Sequence, residues 1–330
     1  MSRSRVFLLL RLAILAALCA LGAAIGFGYL GRLHLAFDAF SHLRLHLAAV
    51  LILLAPILLV LRLRIEAGFA LLLGLATIVQ TVAFDNEPPL ARADASGPVY
   101  RLLHMNLRFD NPTPEAALSL IGTTRPDVVT LAEVSAMWRT RLASLEAAYP
   151  YRLICSQPSP IGGVAILSRR PFVQGFEPRC GDRGSFATAR LDLGGREVEI
   201  VTLHMGWPWP FEQPWQLPRL TPLLESVSDT AIIVGDLNAT PWSEAARRVA
   251  GAGGAHILRG IGPTWLDRRL PDSWRGLIGL PIDNLILKGG VTAASLQTLD
   301  NPGSDHLGLL LEFSVAPQDE VIEMRVVEQR

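Results

Sequence analysis

The sequence predicts an α/β sandwich preceded by a membrane region, and three patterns lead there. Apolar residues crowd into the first 84 positions. From about Val99 to Val315, strand-like and helix-like stretches alternate. Several of the strand-like runs are apolar up to a last, polar residue. Many short strands with a few helices among them build layered α/β domains.

Half of the 330 residues are apolar and the mean hydropathy is +0.33, high for a soluble enzyme. The excess lies in three runs, roughly Leu12–Leu30, Leu47–Leu61 and Ala67–Phe84. A membrane span takes about 20 apolar residues, within a range of roughly 17–25. The first and third runs fit; the second is short and contains Pro56. The first run is longer than the core of a secretory signal, and two more follow it. Residues 1–84 are therefore expected to form three transmembrane helices. Arg3, Arg5 and Arg11 precede the first helix, and Arg62 and Arg64 join the second to the third. The positive-inside rule places these arginines in the cytoplasm, against a weaker pull from Arg32 and Arg44. The expectation is a multi-pass protein of the cytoplasmic membrane, with everything after Phe84 extracytoplasmic.

Residues 85–98 are rich in Pro, Ala and acidic groups and have no apolar period, which reads as a linker. Its 14 residues reach about 45–50 Å at most, which would keep the following domain near the bilayer. Residues 99–315 are expected to be the catalytic domain, and 316–330 an acidic-leaning mobile tail. From Val99 onward there are 22 Lys+Arg against 25 Asp+Glu, a net of −3. Domains that grip polyanions without sequence preference are usually basic, and this one is not. Cys155 and Cys180 are the only cysteines in this part. An extracytoplasmic compartment would permit them to pair; two unrelated buried thiols are the alternative.

Strands are expected at Val99–Asn106, Asp127–Ala132, Tyr151–Ile154, Gly163–Leu167, Ser185–Leu193, Glu197–His204, Ala231–Val234, Ile282–Leu287 and Leu307–Ser314. Two helix starts carry a capping residue followed by proline: Thr113-Pro114 before Glu115–Ile121, and Thr240-Pro241 before Trp242–Ala250. Ser135 would cap a third helix, with Trp138, Leu142 and Leu145 on one face.

The chemistry lies where these runs end. One strand ends on Asn106, one on Glu133, one on His204, and one on Asp236 with Asn238 two residues beyond. Ser304-Asp305-His306 stands just before an apolar strand. In extended chain, alternate residues share a side, so Asp236 and Asn238 can address one ligand. Oxygen-rich donors without a cysteine suit Mg²⁺, or Mn²⁺, better than a thiolate zinc site. A carboxylate-held Mg²⁺ beside imidazoles and amides is the equipment for phosphoester hydrolysis.

In order along the chain, the elements are His104-Met105-Asn106, Leu131-Ala132-Glu133, Leu203-His204, Gly235-Asp236-Leu237-Asn238, Pro281-Ile282-Asp283-Asn284 and Gly303-Ser304-Asp305-His306. This series resembles the endonuclease/exonuclease/phosphatase (DNase I-like) superfamily over nearly the whole soluble part. The resemblance implies a four-layer α/β sandwich: two packed mixed β-sheets flanked by helices, with the site at one end of the sheets. It also implies Glu133 as the main metal ligand, with Asn106 and Asp305 beside it. Asp236 would orient or deprotonate the attacking water, and Asn238 would hold water or phosphate. His306, oriented by Asp283, would contact the scissile phosphate, and His204 would donate a second hydrogen bond to it. Ala132 stands where the family often has glutamine, and Asn284 where it often has His or Tyr. Both departures leave the substrate open.

Fold alone does not name a substrate. The segment Trp207–Trp215 follows His204 and holds three of the seven tryptophans, a residue that favours the headgroup zone of bilayers. Membrane spans followed by such a domain also resemble the VanJ-type teicoplanin-resistance membrane proteins. That likeness implies a lipid-linked phosphate or pyrophosphate, such as undecaprenyl pyrophosphate, as substrate. The alternatives are an extracytoplasmic nuclease acting on DNA or RNA, and a membrane-tethered binding protein without activity.

Overall fold

The computed structural model describes residues 3–85 and 97–317. Most of the expected linker (85–98) and of the expected tail (316–330) lies outside the described residues. The chain divides into two compact units, one built on the N-terminal helices and one carrying the strands.

In the first unit, helices span Arg3–Gly28, Arg44–Val60 and Arg64–Asp85. Three stretches are long and apolar enough to cross a membrane: Arg5–Gly28, Leu35–Val60 and Arg64–Ala83. The second is longer than the run read from the sequence, because its helical path begins at Leu35 and continues through Pro56. Leu18, Ile25, Leu51, Ala55, Leu58 and Ala70 pack between the helices. Gly74 permits a close crossing, since a Cβ there would lie 2.8 Å from the Ile52 side chain and 3.0 Å from the Ala48 carbonyl. Leu53, Val60, Ile65, Leu72 and Val79 point outward, an apolar surface that a bilayer would cover.

The second unit holds twelve strands among the described residues, in two six-stranded sheets. The first sheet contains β1 (Tyr100–Asn106), β2 (Val128–Val134), β3 (Tyr151–Ile154), β4 (Gly163–Ser168), β11 (Val291–Leu299) and β12 (Gly308–Val315), ordered β11-β12-β1-β2-β4-β3. The second contains β5 (Arg179–Gly181), β6 (Phe186–Asp192), β7 (Glu197–His204), β8 (Ala231–Asp236), β9 (His256–Ile257) and β10 (Asp283–Lys288), ordered β5-β6-β7-β8-β10-β9. Each sheet is antiparallel except for one central parallel pair, β1 with β2 and β7 with β8. A parallel pair needs a crossover, and each has a helix there: Pro114–Thr124 and Gln213–Glu225.

The strand pattern explains the layers. Leu102, Val128 and Ala132 point between the sheets and meet Ala189, Ile200, Ile232 and Val234 from the other side. Leu103, Met105, Val129 and Leu131 point outward and are covered by Ala117, Ile121, Trp138 and Leu142. The result is two packed mixed sheets flanked by helices, as expected.

Three strands were not expected: β5, β9 and β11. All three are sheet edges, and edge strands are short or half-polar because only one side is paired. The helix Gln213–Glu225, which contains Pro214, Pro218 and Pro222, was also not among the expected elements. Spaced four apart, they share one stripe, and Pro218 and Pro222 are exposed, so water can satisfy the carbonyls they leave unbonded. Gln213, Gln216, Leu217, Leu220 and Leu224 form the buried stripe. Two expected caps work differently: Thr113 and Ser135 make no side-chain cap bond, and the Ser135 hydroxyl donates to the Phe109 carbonyl instead.

Candidate active site

Both parallel pairs end at the same edge of the sandwich, and their carboxyl ends carry Asn106, Glu133, His204 and Asp236. In open α/β sheets this is where ligands bind. Register does the rest in the second sheet. His204 on β7 stands opposite Asp236 on β8, and Asp236 opposite Asp283 on β10, so the three form a row across adjacent strands. His306 and Asp305 precede β12, which is antiparallel to β1, and so reach the same end.

Glu133 reaches the site through a backbone irregularity. Alternation would point it away from the other sheet, but the β2–β4 pairing shifts register between Leu131 and Val134, and Glu133 has φ +58°. The Phe109 N–H donates to Glu133 Oε2 at 2.8 Å and Asn106 Nδ2 donates to Oε1 at 3.1 Å. Gly162 makes room for this bulge: a Cβ there would lie 2.2 Å from the Val134 carbonyl oxygen.

Asn106 also donates from Nδ2 to Asp236 Oδ2 at 3.0 Å, tying the two sheets together. The extended-chain argument for Asp236 and Asn238 is corrected by the structure. β8 stops at Asp236, and Asn238 turns left-handed at φ +46°, a conformation asparagine tolerates. Its N–H donates to Asp236 Oδ1 at 2.8 Å and its Nδ2 to the Met205 carbonyl at 2.7 Å. Both residues still face one cleft.

His306 Nδ1 lies 2.8 Å from Asp283 Oδ2, while His306 Nε2 and His204 Nε2 each lie 3.6 Å from Asp236 Oδ2. Burial opposes a charged His306, but Asp283 and then Asp236 outweigh it and push its pKa up to about 10. Burial also works against a charged Asp283, yet His306 and His104 hold it well below the usual carboxylate range. Asp236 is raised, chiefly by burial and further by Asp283, with His306 and His204 opposing. Asp305 Oδ2 accepts from Trp265 Nε1 at 3.2 Å.

These groups open into a cleft of about 410 Å³. Its floor is Glu133, His204, Asp236, Asn238, Asp305 and His306, with Asn106 and Asp283 behind. Gln157, Ser159 and Ile161 also line it, as do Trp207, Phe211, Glu212, Gln216 and Trp265. Among the described residues that line it, none is Lys or Arg. Trp207 stands edge-on to Trp265 with ring centres 6.1 Å apart, and it remains 57% exposed, as Phe211 is 60% exposed. Trp207 is thus at the rim, whereas Trp215 belongs to the helix Gln213–Glu225 and does not line the cleft. Trp265 and Gln216 were not singled out from the sequence. Trp265 lies in irregular chain, and the prolines around Gln216 hid its helix. Gln216 Oε1 accepts from the Gly206 N–H and its Nε2 donates to Asp182, which steadies the chain after His204.

Asp236, Asp283 and His306 bring ligand atoms within 4.8 Å of one another and form a candidate cation site, a different set from Asn106, Glu133 and Asp305. Cys155 and Cys180 form a disulfide with Cα atoms 5.6 Å apart, which settles the alternative left open by the sequence. It joins the chain just after β3 to β5, one edge of each sheet.

Acids, amides and imidazoles gather at the strand ends of a DNase I-like sandwich, the fold of a family whose members are phosphoester hydrolases. The chain belongs to the Endonuclease/Exonuclease/phosphatase family, whose family model matches residues 103–306. It is similar to the inositol phosphosphingolipids phospholipase C of Saccharomyces cerevisiae, 28% identical over 145 residues, covering 36% of this chain. The chain spans only 30% of that relative's length. Among solved structures, zebrafish (D. rerio) TDP2 complexed with a single-strand DNA product aligns with TM-score 0.54 and 17% identity, over 66% of this chain and 100% of that one. The endonuclease/exonuclease/phosphatase from Bacteroides vulgatus aligns with TM-score 0.54 and 15% identity, over 67% and 100%. These likenesses establish the shared fold.

Proposed function

We propose that this protein is a membrane-anchored, divalent-cation-dependent phosphoesterase acting on a lipid-linked phosphate or pyrophosphate at the outer face of the cytoplasmic membrane. In this reading residues 1–84 anchor the chain and residues 99–315 are the catalytic domain. One observation carries it: side chains from both sheets converge on a cleft lined by carboxylates, imidazoles and amides, with no Lys or Arg among the described residues that line it. A hard cation would offset the carboxylate charge there and let a phosphate bind beside the imidazoles.

The donor chemistry fits a hard cation. Glu133 and Asp236 both accept from the Asn106 amide nitrogen, at 3.1 and 3.0 Å, and are two acids whose charge a cation would balance. We assign the cation to Glu133, Asn106 and Asp305 rather than to the Asp236–Asp283–His306 set. His306 Nδ1 and Asp283 Oδ2 already engage each other at 2.8 Å, so in this reading that pair serves to orient the imidazole. When bound, Mg²⁺ or Mn²⁺ would offset charge on the phosphoryl oxygens.

The chain's own groups divide the remaining work. Asp236, raised by burial, is a better proton acceptor than an exposed carboxylate and takes a proton from the attacking water. The Asn238 amide nitrogen is held by the Met205 carbonyl, which leaves its oxygen free to orient that water. Water oxygen bonds to phosphorus as the bond to the leaving oxygen breaks. His306, charged and fixed by Asp283, donates to a phosphoryl oxygen, and His204 does so from the other side.

The lipid reading is supported by the three apolar helices, by exposed Trp207 and Phe211 at the cleft's rim, and by a disulfide suited to an oxidising compartment. The test offers the full chain undecaprenyl pyrophosphate, phosphoinositides, sphingomyelin, and single- and double-stranded DNA, with Mg²⁺ and with EDTA. Cation-dependent phosphate or headgroup release that Glu133→Ala and His306→Ala abolish is the expected result. Cleavage of DNA alone would establish the nuclease instead. Wild type no better than Glu133→Ala on every substrate would leave a binding protein.

A further inference from the structure

His104 enters the site as described only through its influence on Asp283, and its ring is fully buried between the sheets. It lies on β1 two residues before Asn106, so both side chains point to the same side. Asn106 uses that side to reach Glu133 and Asp236; His104, one step deeper, reaches the back of the acid–imidazole pair. Its Nδ1 lies 3.0 Å from Oγ1 of Thr130, its cross-strand neighbour on β2. Its Nε2 lies 3.6 Å from Asp283 Oδ1. That is longer than a hydrogen bond, and neither atom has another hydrogen-bond partner. Buried polar atoms are rarely left unpaired, so two that face each other need a reason.

Asp283 supplies one. Its Oδ2 accepts from His306, and the backbone N–H of Asp283 donates to the Thr264 hydroxyl. These contacts hold only one carboxylate oxygen, and Oδ1 is left without a hydrogen-bond partner. We propose that His104 is a positioning residue: its Nε2–H faces Asp283 Oδ1, fixes the plane of the carboxylate, and so aims His306 Nε2 at the reacting phosphate. The Thr130 hydroxyl, donating to Nδ1, sets the required tautomer. The series Thr130–His104–Asp283–His306 then runs from the first sheet across the sandwich to the cleft. This inference rests on the role proposed above for His306.

Two substitutions separate orientation from folding. An asparagine amide overlies the Nδ1 position of a histidine, and a glutamine amide overlies Nε2. His104→Asn therefore keeps a partner for Thr130 and loses the group facing Asp283, while His104→Gln keeps a donor toward Asp283. With Mg²⁺ and bis(p-nitrophenyl) phosphate, full-length His104→Asn should lose about 10–100-fold in kcat, as second-layer changes do, with KM little altered. His104→Gln should recover most of that loss. In an Asp283→Asn background, His104→Asn should cost less than about twofold more, because the two act as one unit. A second readout needs no turnover. In protein ¹⁵N-labelled at its seven histidines, the His306 Nδ1–H proton should move upfield in His104→Asn and stay in place in His104→Gln. Unchanged kcat in His104→Asn, equal losses in both variants, or a full loss on top of Asp283→Asn would overturn the proposal. If the wild type does not cleave the diester, the phosphoesterase reading is in question, and the proton shift still decides the role of His104.

Discussion

Asp283→Asn removes one charge from behind His306 and keeps the side chain's size. In the native site burial disfavours the imidazolium, and Asp283, followed by Asp236, overcomes it and pushes the pKa up to about 10. Without the Asp283 charge the value should fall to the ordinary histidine value near 6.5 or lower. At about pH 8.5, a group with a pKa of about 10 is about 97% protonated, and one with 6.5 about 1%. A rate that needs the imidazolium should therefore drop about 100-fold at about pH 8.5, and less than about twofold near pH 6. Any loss from poorer aim of the ring would be added at all pH values. The assay is kcat/KM on a soluble phosphodiester across that range with saturating Mg²⁺. The alkaline limb should move from near 10 in wild type to near neutrality in the variant. An alkaline limb that stays where it was would refute the assignment of His306 as the charged donor. Stability should follow the same pair. His306, raised above its unfolded value, stabilises the fold fully below about pH 6.5, and that contribution is lost as pH rises through about 10. Asp283, held down, contributes above its unfolded value near 3.9 and loses this only in strong acid.

Two further outcomes test the scaffold. Gly162→Ala would force a Cβ to 2.2 Å from the Val134 carbonyl at φ +86°; it should cost about 2–3 kcal/mol and lower activity by displacing Glu133. Gly175→Ala, at φ +85° with open space around it, is the control and should lose stability alone, measured by denaturant titration beside the activity assay. Cys155→Ser with Cys180→Ser opens a link spanning 25 residues and should cost about 3 kcal/mol, read as a lower unfolding midpoint.

Much of this site was legible because its residues sit at the ends of apolar strands. A polar residue closing such a run has few structural reasons to be there, and Asn106, His204 and Asp236 stand out on that ground. Glu133 was legible in the same way and in the ordered motif series, but its route into the cleft was not, since strict alternation would have sent it to the wrong face; a left-handed turn cannot be read from a Glu. Asp236 and Asn238 were paired correctly for the wrong geometric reason, because an Asx turn and an extended strand give the same spacing of two. The edge strands β5, β9 and β11 and the proline-striped helix were hidden. Their residues answer to solvent on one side, and solvent imposes little pattern. Trp265 meets Asp305 and Trp207 through long-range contacts, which no local rhythm announces.

The Asn106 amide bridges Glu133 on the first sheet and Asp236 on the second, and the disulfide fastens an edge of one sheet to an edge of the other. The candidate site is therefore mounted on two separate plates, and the distance between the plates would be a variable in its chemistry. A cavity cut anywhere in the layer between them, for example Ile200→Ala or Leu311→Ala, would let the plates drift by fractions of an ångström. Turnover in such variants should fall well before the protein melts, so the catalytic rate doubles as a gauge of how tightly the sandwich is closed.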